Sequence, residues 1–273
     1  MSQINVNLVA PYQFGTVSVN GAQIHANVSN KSLKINNDTN QVLGLNNVVI
    51  GMQAGQQLTS GSNGNTIIGM QSGPNMTSGV NNTLVGNTTG NFITTGYSNT
   101  CIGKQAGALT TTGYYNTSIG DSAGDQTTTG QNNVALGAFS NQATGATSNS
   151  ITLGNVSHNV LRCAVTAITS LSDARDKKDV APIELGLDFV KELNPVKFVW
   201  DDRNEEGKHD IADSGFIAQD LKALEDKYDA AEVLKLVYDE NPEKLEASYG
   251  RLIPVLVQAI KDLAAKVETL GNK

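Results

Sequence analysis

NTLVGNTTGNFITTGYS, residues 82–98, is one turn of a pattern that decides the fold of the first half of the chain. Its Asn82 recurs as Asn47, Asn65, Asn99, Asn116 and Asn133, at an interval of 18 residues once and 17 thereafter. Four residues on, Gly86 recurs as Gly51, Gly69, Gly103, Gly120, Gly137 and Gly154, each directly after Ile, Val or Leu. Gly90 recurs as Gly55, Gly73, Gly107 and Gly124, and Gly96 as Gly79, Gly113 and Gly130. A registered repeat of this length is one supersecondary unit, not a string of independent elements. Each unit offers one strand of about three apolar or Thr residues, followed by glycine corners where positive φ is needed. Ordering so many backbones costs more than burying three aliphatic side chains returns, so a unit needs coils above and below it and neighbouring chains beside it. The spacing predicts a stacked β-roll or β-helix over 47–154, with the recurrent Asn forming an amide ladder from coil to coil.

This array resembles the Gly/Asn/Thr repeats of phage tail fibres and the β-roll heads of trimeric autotransporter adhesins. Several features inside it have plainer explanations than chemistry. The Gly86–Gly90 spacing suggests a phosphate loop, but it recurs with the period and no Lys-Ser/Thr follows, so it reads as a corner. Tyr97, Tyr114, Tyr115, Phe92 and Phe139 offer either a sugar-stacking surface or ordinary packing. The sequons at Asn87, Asn116 and Asn155 follow from Asn/Thr richness alone.

Upstream, residues 1–46 read as a β segment. GTVSVNGAQIHANV (15–28) alternates around Asn20-Gly21, a hairpin signal. The position suits attachment to a larger particle. No apolar leader follows Met1 and no long apolar run occurs, so neither a signal peptide nor membrane insertion is expected.

Charge divides the chain in two. Residues 1–171 hold four Lys/Arg and three Asp, whereas 172–273 hold 15 Lys/Arg and 23 Asp/Glu, so the net −7 is +1 in the first part and −8 in the second. An acidic total without a basic stripe excludes nucleic acid as the expected partner. Cys101 and Cys163 make neither a disulfide framework nor a metal spacing, and His158 and His209 have no ligand partner in sequence, so no cofactor or metal is expected. Three acids across residues 1–171 are too few for a polysaccharide depolymerase there, and Glu205-Glu206 reads as a solvated loop.

The two halves meet after a linker, 155–171, at SDARDK (172–177). Ser172-Asp173 before a charged stretch reads most simply as a helix N-cap. The stretch also resembles the opening S-D-x-R-x-K motif of the C-terminal intramolecular chaperones of phage tailspikes and fibres, typified by the endosialidases, through Ser172, Asp173, Arg175 and Lys177. That resemblance implies a Ser172–Lys177 dyad cutting the bond Leu171–Ser172, with Asp173 and Arg175 supporting the motif. The chemistry suits the residue types: a serine hydroxyl needs a base to take its proton, and a lysine serves only once desolvation or neighbouring cations lower its pKa. Arg175 and Lys178 act in that direction, and Asp173, Asp176 and Asp179 oppose it.

Two later stretches extend the resemblance over 172–273. One is DSGFIAQDLKAL (213–224), through Gly215, Ile217, Ala218, Gln219 and Asp220. The other is SYGRLIPVLVQAIKDL (248–263). Between them and the dyad, residues 186–200 predict a helix, a break at Pro195 and a strand ending at Trp200, read as a core residue. Independently of any family, Ile253, Leu256, Ile260, Leu263, Val267 and Leu270 step by 3, 4, 3, 4, 3, a coiled-coil seam. Pro254 falls at the start of that helix, where it is tolerated.

The sequence therefore predicts a mainly β repeat shaft followed by a small α+β chaperone domain ending in a coiled-coil helix. The function it implies is a homotrimeric virion tail fibre or spike, made in the host cytoplasm. Its partners would be tail or baseplate proteins and a host cell-surface receptor, a glycan among the candidates. The competing reading is a receptor-binding adhesin whose trimerisation domain is never cut off.

Overall fold

A computed structural model describes residues 44–158, 160–162, 164, 169–203 and 208–272, with strand backbone at 15–19, 22–27 and 32–36. The Asn20-Gly21 turn, Cys163 and Glu205-Glu206 lie outside the described residues. The chain divides into two compact units, 1–155 and 156–273.

The first unit is a parallel β-solenoid. Strands β1 (Gly15–Val19) and β2 (Ala22–Asn27) pair antiparallel, and β3 (Ser32–Asn36) pairs antiparallel with β2. β3 then pairs in parallel with β4 (Val48–Ile50), so the hairpin segment and the repeats share one ten-stranded sheet. From β4 the chain adds one three-residue strand per coil. These are β5 (Thr66–Ile68), β6 (Thr83–Val85), β7 (Thr100–Ile102), β8 (Thr117–Ile119), β9 (Val134–Leu136) and β10 (Ile151–Leu153), all parallel and in strict register.

Strand alternation sends the middle residue of β4–β9 inward. Val49, Ile67, Leu84, Cys101, Ser118 and Ala135 are buried, while the flanking positions face out. The ladder of asparagines forms behind them. Each Oδ1 accepts the backbone N–H of the Asn one coil later: Asn47 from Asn65 (2.9 Å), Asn82 from Asn99 (3.0 Å), Asn116 from Asn133 (3.1 Å). Each Nδ2 also donates to a carbonyl at the far corner, as Asn99 does to Gly113 O at 2.8 Å. All six side chains are buried. A second rank follows, in which the hydroxyls of Thr77, Thr94 and Thr111 donate to the carbonyls of Thr94, Thr111 and Thr128.

The glycines have two different tasks. Gly86 has φ +145 and a Cβ there would land on the Gly103 carbonyl oxygen, so both conformation and space demand glycine. Gly96 has no positive φ; a Cβ would lie 2.6 Å from Gly113 O, so only the close approach of coils excludes a side chain. The expectation that every corner needs positive φ is thus corrected at this third position. Conversely, Gln71, Thr88, Gln105, Ser122 and Phe139 are left-handed in every coil without being glycine, and so are Asn81, Ser98, Tyr115, Asn132 and Asn149. Their N–H groups donate to the preceding coil, as Thr88 does to Met70 O (3.0 Å) and Ser98 to Val80 O (2.9 Å), which offsets the backbone strain.

The second unit is α+β. Helix α1 (Leu187–Glu192) leads to β11 (Val196–Asp201), which pairs antiparallel with β12 (His209–Gly215). Helices α2 (Ala218–Lys227) and α3 (Ala231–Leu234) follow. A two-strand pair, β13 (Val237–Tyr238) and β14 (Glu246–Ala247), then precedes a 3₁₀ turn at Tyr249–Leu252 and helix α4 (Ile253–Gly271). The core is Phe189, Leu221, Leu224, Ala230, Leu234, Leu236, Leu252 and Val255. Trp200 is not in it, which corrects the sequence expectation. It lies half-exposed on the β11–β12 ribbon, with Nε1 donating to Asp213 (3.1 Å) and the Lys208 ammonium 5.2 Å from its ring. Among the described residues no helix is long and apolar enough to cross a membrane.

Candidate processing and assembly site

SDARDK folds as one tight loop. Asp173, not Ser172, is the cap: its carboxylate accepts the Arg175 N–H at 2.9 Å and opens a single 3₁₀ turn, Ala174–Asp176. The same carboxylate takes the Arg175 guanidinium through Nε (3.0 Å) and a terminal nitrogen (2.6 Å). These bonds hold the Asp173 carboxyl below its ordinary range. One turn of 3₁₀ returns Lys177 to the start of the loop. There Nζ donates to Ser172 Oγ at 2.6 Å and to Ser172 O at 3.2 Å. The spacing of five thus places the nitrogen on the hydroxyl, and the Asp173–Arg175 pair occupies the nearest acid.

The surroundings are open. Ser172, Asp173, Arg175 and Lys177 are exposed, and Leu171 projects fully into solvent. As drawn, the lysine gives a hydrogen bond to the hydroxyl; a general base must do the reverse and take the proton. That exchange needs the loop desolvated.

The later motifs of the second unit meet each other. The Tyr249 hydroxyl donates to Phe216 O and accepts from Phe216 N, both at 3.1 Å, and a Cβ on Gly215 would lie 2.7 Å from that oxygen. Gly215 and Tyr249 are therefore paired requirements of one joint between β12 and α4.

Helix α4 is apolar on two sides. Val255 and Ala259 are buried, and Asp262 continues that face toward α1. There Asp262 accepts the Leu187 N–H (2.9 Å) and the Gln258 amide (2.8 Å), capping α1 from another helix. The six seam residues lie on the other side. Ile253, Leu256, Ile260, Leu263, Val267 and Leu270 are all exposed, Ile260 at 67 % and Leu270 at 69 %. Asp262 escaped sequence reasoning because its partner is far away in the chain. Glu225, buried and accepting the Leu236 N–H at 2.6 Å, escaped because a glutamate in a charged helix reads as solvated.

Among the array residues weighed as sites, the tyrosines pack on one another, while Phe92 and Phe139 are exposed. Tyr97 and Tyr114 stack at 4.6 Å, and Tyr115 meets both edge-on, although it remains 56 % exposed. Asn116 is a buried ladder residue, so its sequon is inaccessible in the folded coil. His209 Nδ1 lies 3.2 Å from Asp201.

With this geometry in place, a family model described as chaperone of endosialidase matches residues 172–231. The match opens on Ser172 itself and stops within the first turn of α3, before Tyr249 and α4. It identifies a chaperone-type region in the second unit and leaves the shaft unassigned. No curated protein and no solved structure matches the chain.

Proposed function

We propose that this chain is a tail fibre or spike subunit of a bacteriophage virion, in which residues 172–273 gather three copies so that the shaft can fold. The observation that carries this reading is the seam of α4, six aliphatic side chains all exposed in one chain, next to the region matched as a chaperone. Burying such a seam between copies is the main source of stability in a coiled coil. The shaft then serves host attachment, with the tail at one end and a surface receptor, a glycan among the candidates, as its partner.

In the same reading the assembled domain cuts itself off. Ser172 Oγ attacks the Leu171 carbonyl carbon while its proton passes to Lys177 Nζ. The Leu171–Ser172 C–N bond breaks, the nitrogen of Ser172 leaves protonated, and water hydrolyses the resulting ester to the Leu171 carboxylate and free Ser172 hydroxyl. Packing of copies around the loop supplies the desolvation that one chain lacks, so the cut reports completed assembly.

A second reading rests on the openness of the loop: a retained trimerisation domain on an adhesin that is never cut. Denaturing electrophoresis with intact-mass spectrometry separates the two. Self-cleavage gives fragments meeting at 171/172 in the parent and a single full-length chain in Ser172→Ala and Lys177→Ala. An intact parent chain after native assembly contradicts the cut and leaves the adhesin reading.

A further inference from the structure

The outward positions of the solenoid strands form a column: Ile50, Ile68, Val85, Ile102, Ile119, Leu136 and Leu153, in direct register across β4–β10. Toward its C-terminal end the column departs from ordinary solenoid design. The inward residue shrinks from Val49, Ile67 and Leu84 to Cys101, Ser118 and Ala135, while the outward one stays large. Ile119 is 39 % exposed and Leu153 54 %. At the opposite corner Leu58, Met76 and Ile93 likewise give way to buried Thr110 and Thr127. In the last coils the bulky hydrocarbon is on the outside.

We propose that this column is the shaft's own contact surface, facing the same column on other copies of this chain along the axis of the trimer; the inference rests on the homotrimer reading above. Three observations select a second copy over another partner. The column repeats once per coil, and another shaft in parallel presents aliphatic groups at that same interval. Lys104, Asp121 and Asp125 are the array's only charged residues between 47 and 154, so no strong field keeps copies apart. Size decides the third. Seven strands about 4.8 Å apart and three residues wide make a face of roughly 300 Å², against about 800 Å² per partner in a stable complex. A freely diffusing protein would not stay on so small a face, but a copy already tethered through residues 172–273 would. The coils with the largest outward hydrocarbon for their core are those next in sequence to the gathering domain. Contact therefore starts at the junction and closes toward β4.

Cross-linking of the full chain tests this. In a Cys163→Ser background, Ile119→Cys and Leu136→Cys are each compared with Phe92→Cys, an exposed position off the column. Each is treated with a short bismaleimide, and its native mass is measured in parallel. The expected result is a trimeric particle with about tenfold more covalent dimer from positions 119 and 136 than from 92, because tethering raises the local concentration only on the facing side. A trimer that cross-links as well or better from position 92 overturns the column and leaves the trimer intact. A monomer overturns both.

Discussion

At the scale of single residues, the solenoid is held by groups that satisfy each other across coils. Removing the Asn99 side chain strips the buried Asn116 N–H of its acceptor and Gly113 O of its donor. Each orphaned buried group costs about 1–3 kcal/mol, so Asn99→Ala is expected to lower the unfolding midpoint far more than a change at an exposed residue such as Gln56→Ala. Thermal or denaturant melts check this, and equal shifts would contradict the ladder. Gly86→Ala must both adopt φ +145 and displace the Gly103 carbonyl, and is expected to prevent soluble expression or cost at least about 2 kcal/mol. Burial pushes the Cys101 thiol up to about 12, so a maleimide should label Cys101 only when its coil opens. Rapid labelling of the native protein would contradict the packed core.

At this scale the Asn ladder was legible, because a polar residue at a fixed place in six coils has to be doing the same thing in each. The left-handed Thr88, Gln105 and Ser98 were not. Their conformation is imposed by hydrogen bonds to the previous coil, and no residue type marks it. Nor did the sequence distinguish the glycines needed for φ from those, like Gly96, needed only for space.

At the scale of elements, α4 is the informative case. Its six-residue seam was readable from spacing alone, whereas its second face, Val255, Ala259 and Asp262 against α1, depends on contacts distant in sequence. The Asp262 carboxyl is held below its ordinary value chiefly by the Leu187 N–H and then by the Gln258 amide. The sign follows: with a depressed folded-state pKa, the ionised group's contribution is full above the usual carboxylate range and is lost as pH falls through the depressed value. The protection of the α1 amides against hydrogen exchange, corrected for the intrinsic pH dependence of the exchange rate, should therefore fall on acidification. Asp262→Asn should show faster exchange at neutral pH and a weaker acid dependence. Identical acid profiles in parent and variant would contradict the cap. Of the β11–β12 ribbon, VKFVW was predicted as strand, but its partner β12 and the ribbon's openness were not. A tryptophan in VKFVW reads as core until the partner strand proves to leave its face uncovered.

At the scale of the whole molecule, the division between an almost uncharged array and a charged α+β unit was visible in composition, and the 17-residue interval gave the solenoid. Between those units the functional logic is asymmetric. Coils with Ser118, Ala135 and buried threonines inside have little hydrocarbon to hold them, while α4 exposes an aliphatic seam that, in the proposed trimer, other copies bury. The loop at Ser172–Lys177 has its distances in one chain but stands exposed, and in the proposed mechanism assembly supplies the missing desolvation. Expressing residues 1–171 without the second unit should then give insoluble or unfolded shaft. A soluble, folded, trimeric product would contradict the chaperone role.

The most direct test is the mass of the full-length expressed protein by sedimentation equilibrium, with circular dichroism on the same sample. The account predicts a folded particle containing three shafts. A folded monomer, with its β signal intact at the concentrations measured, would contradict it.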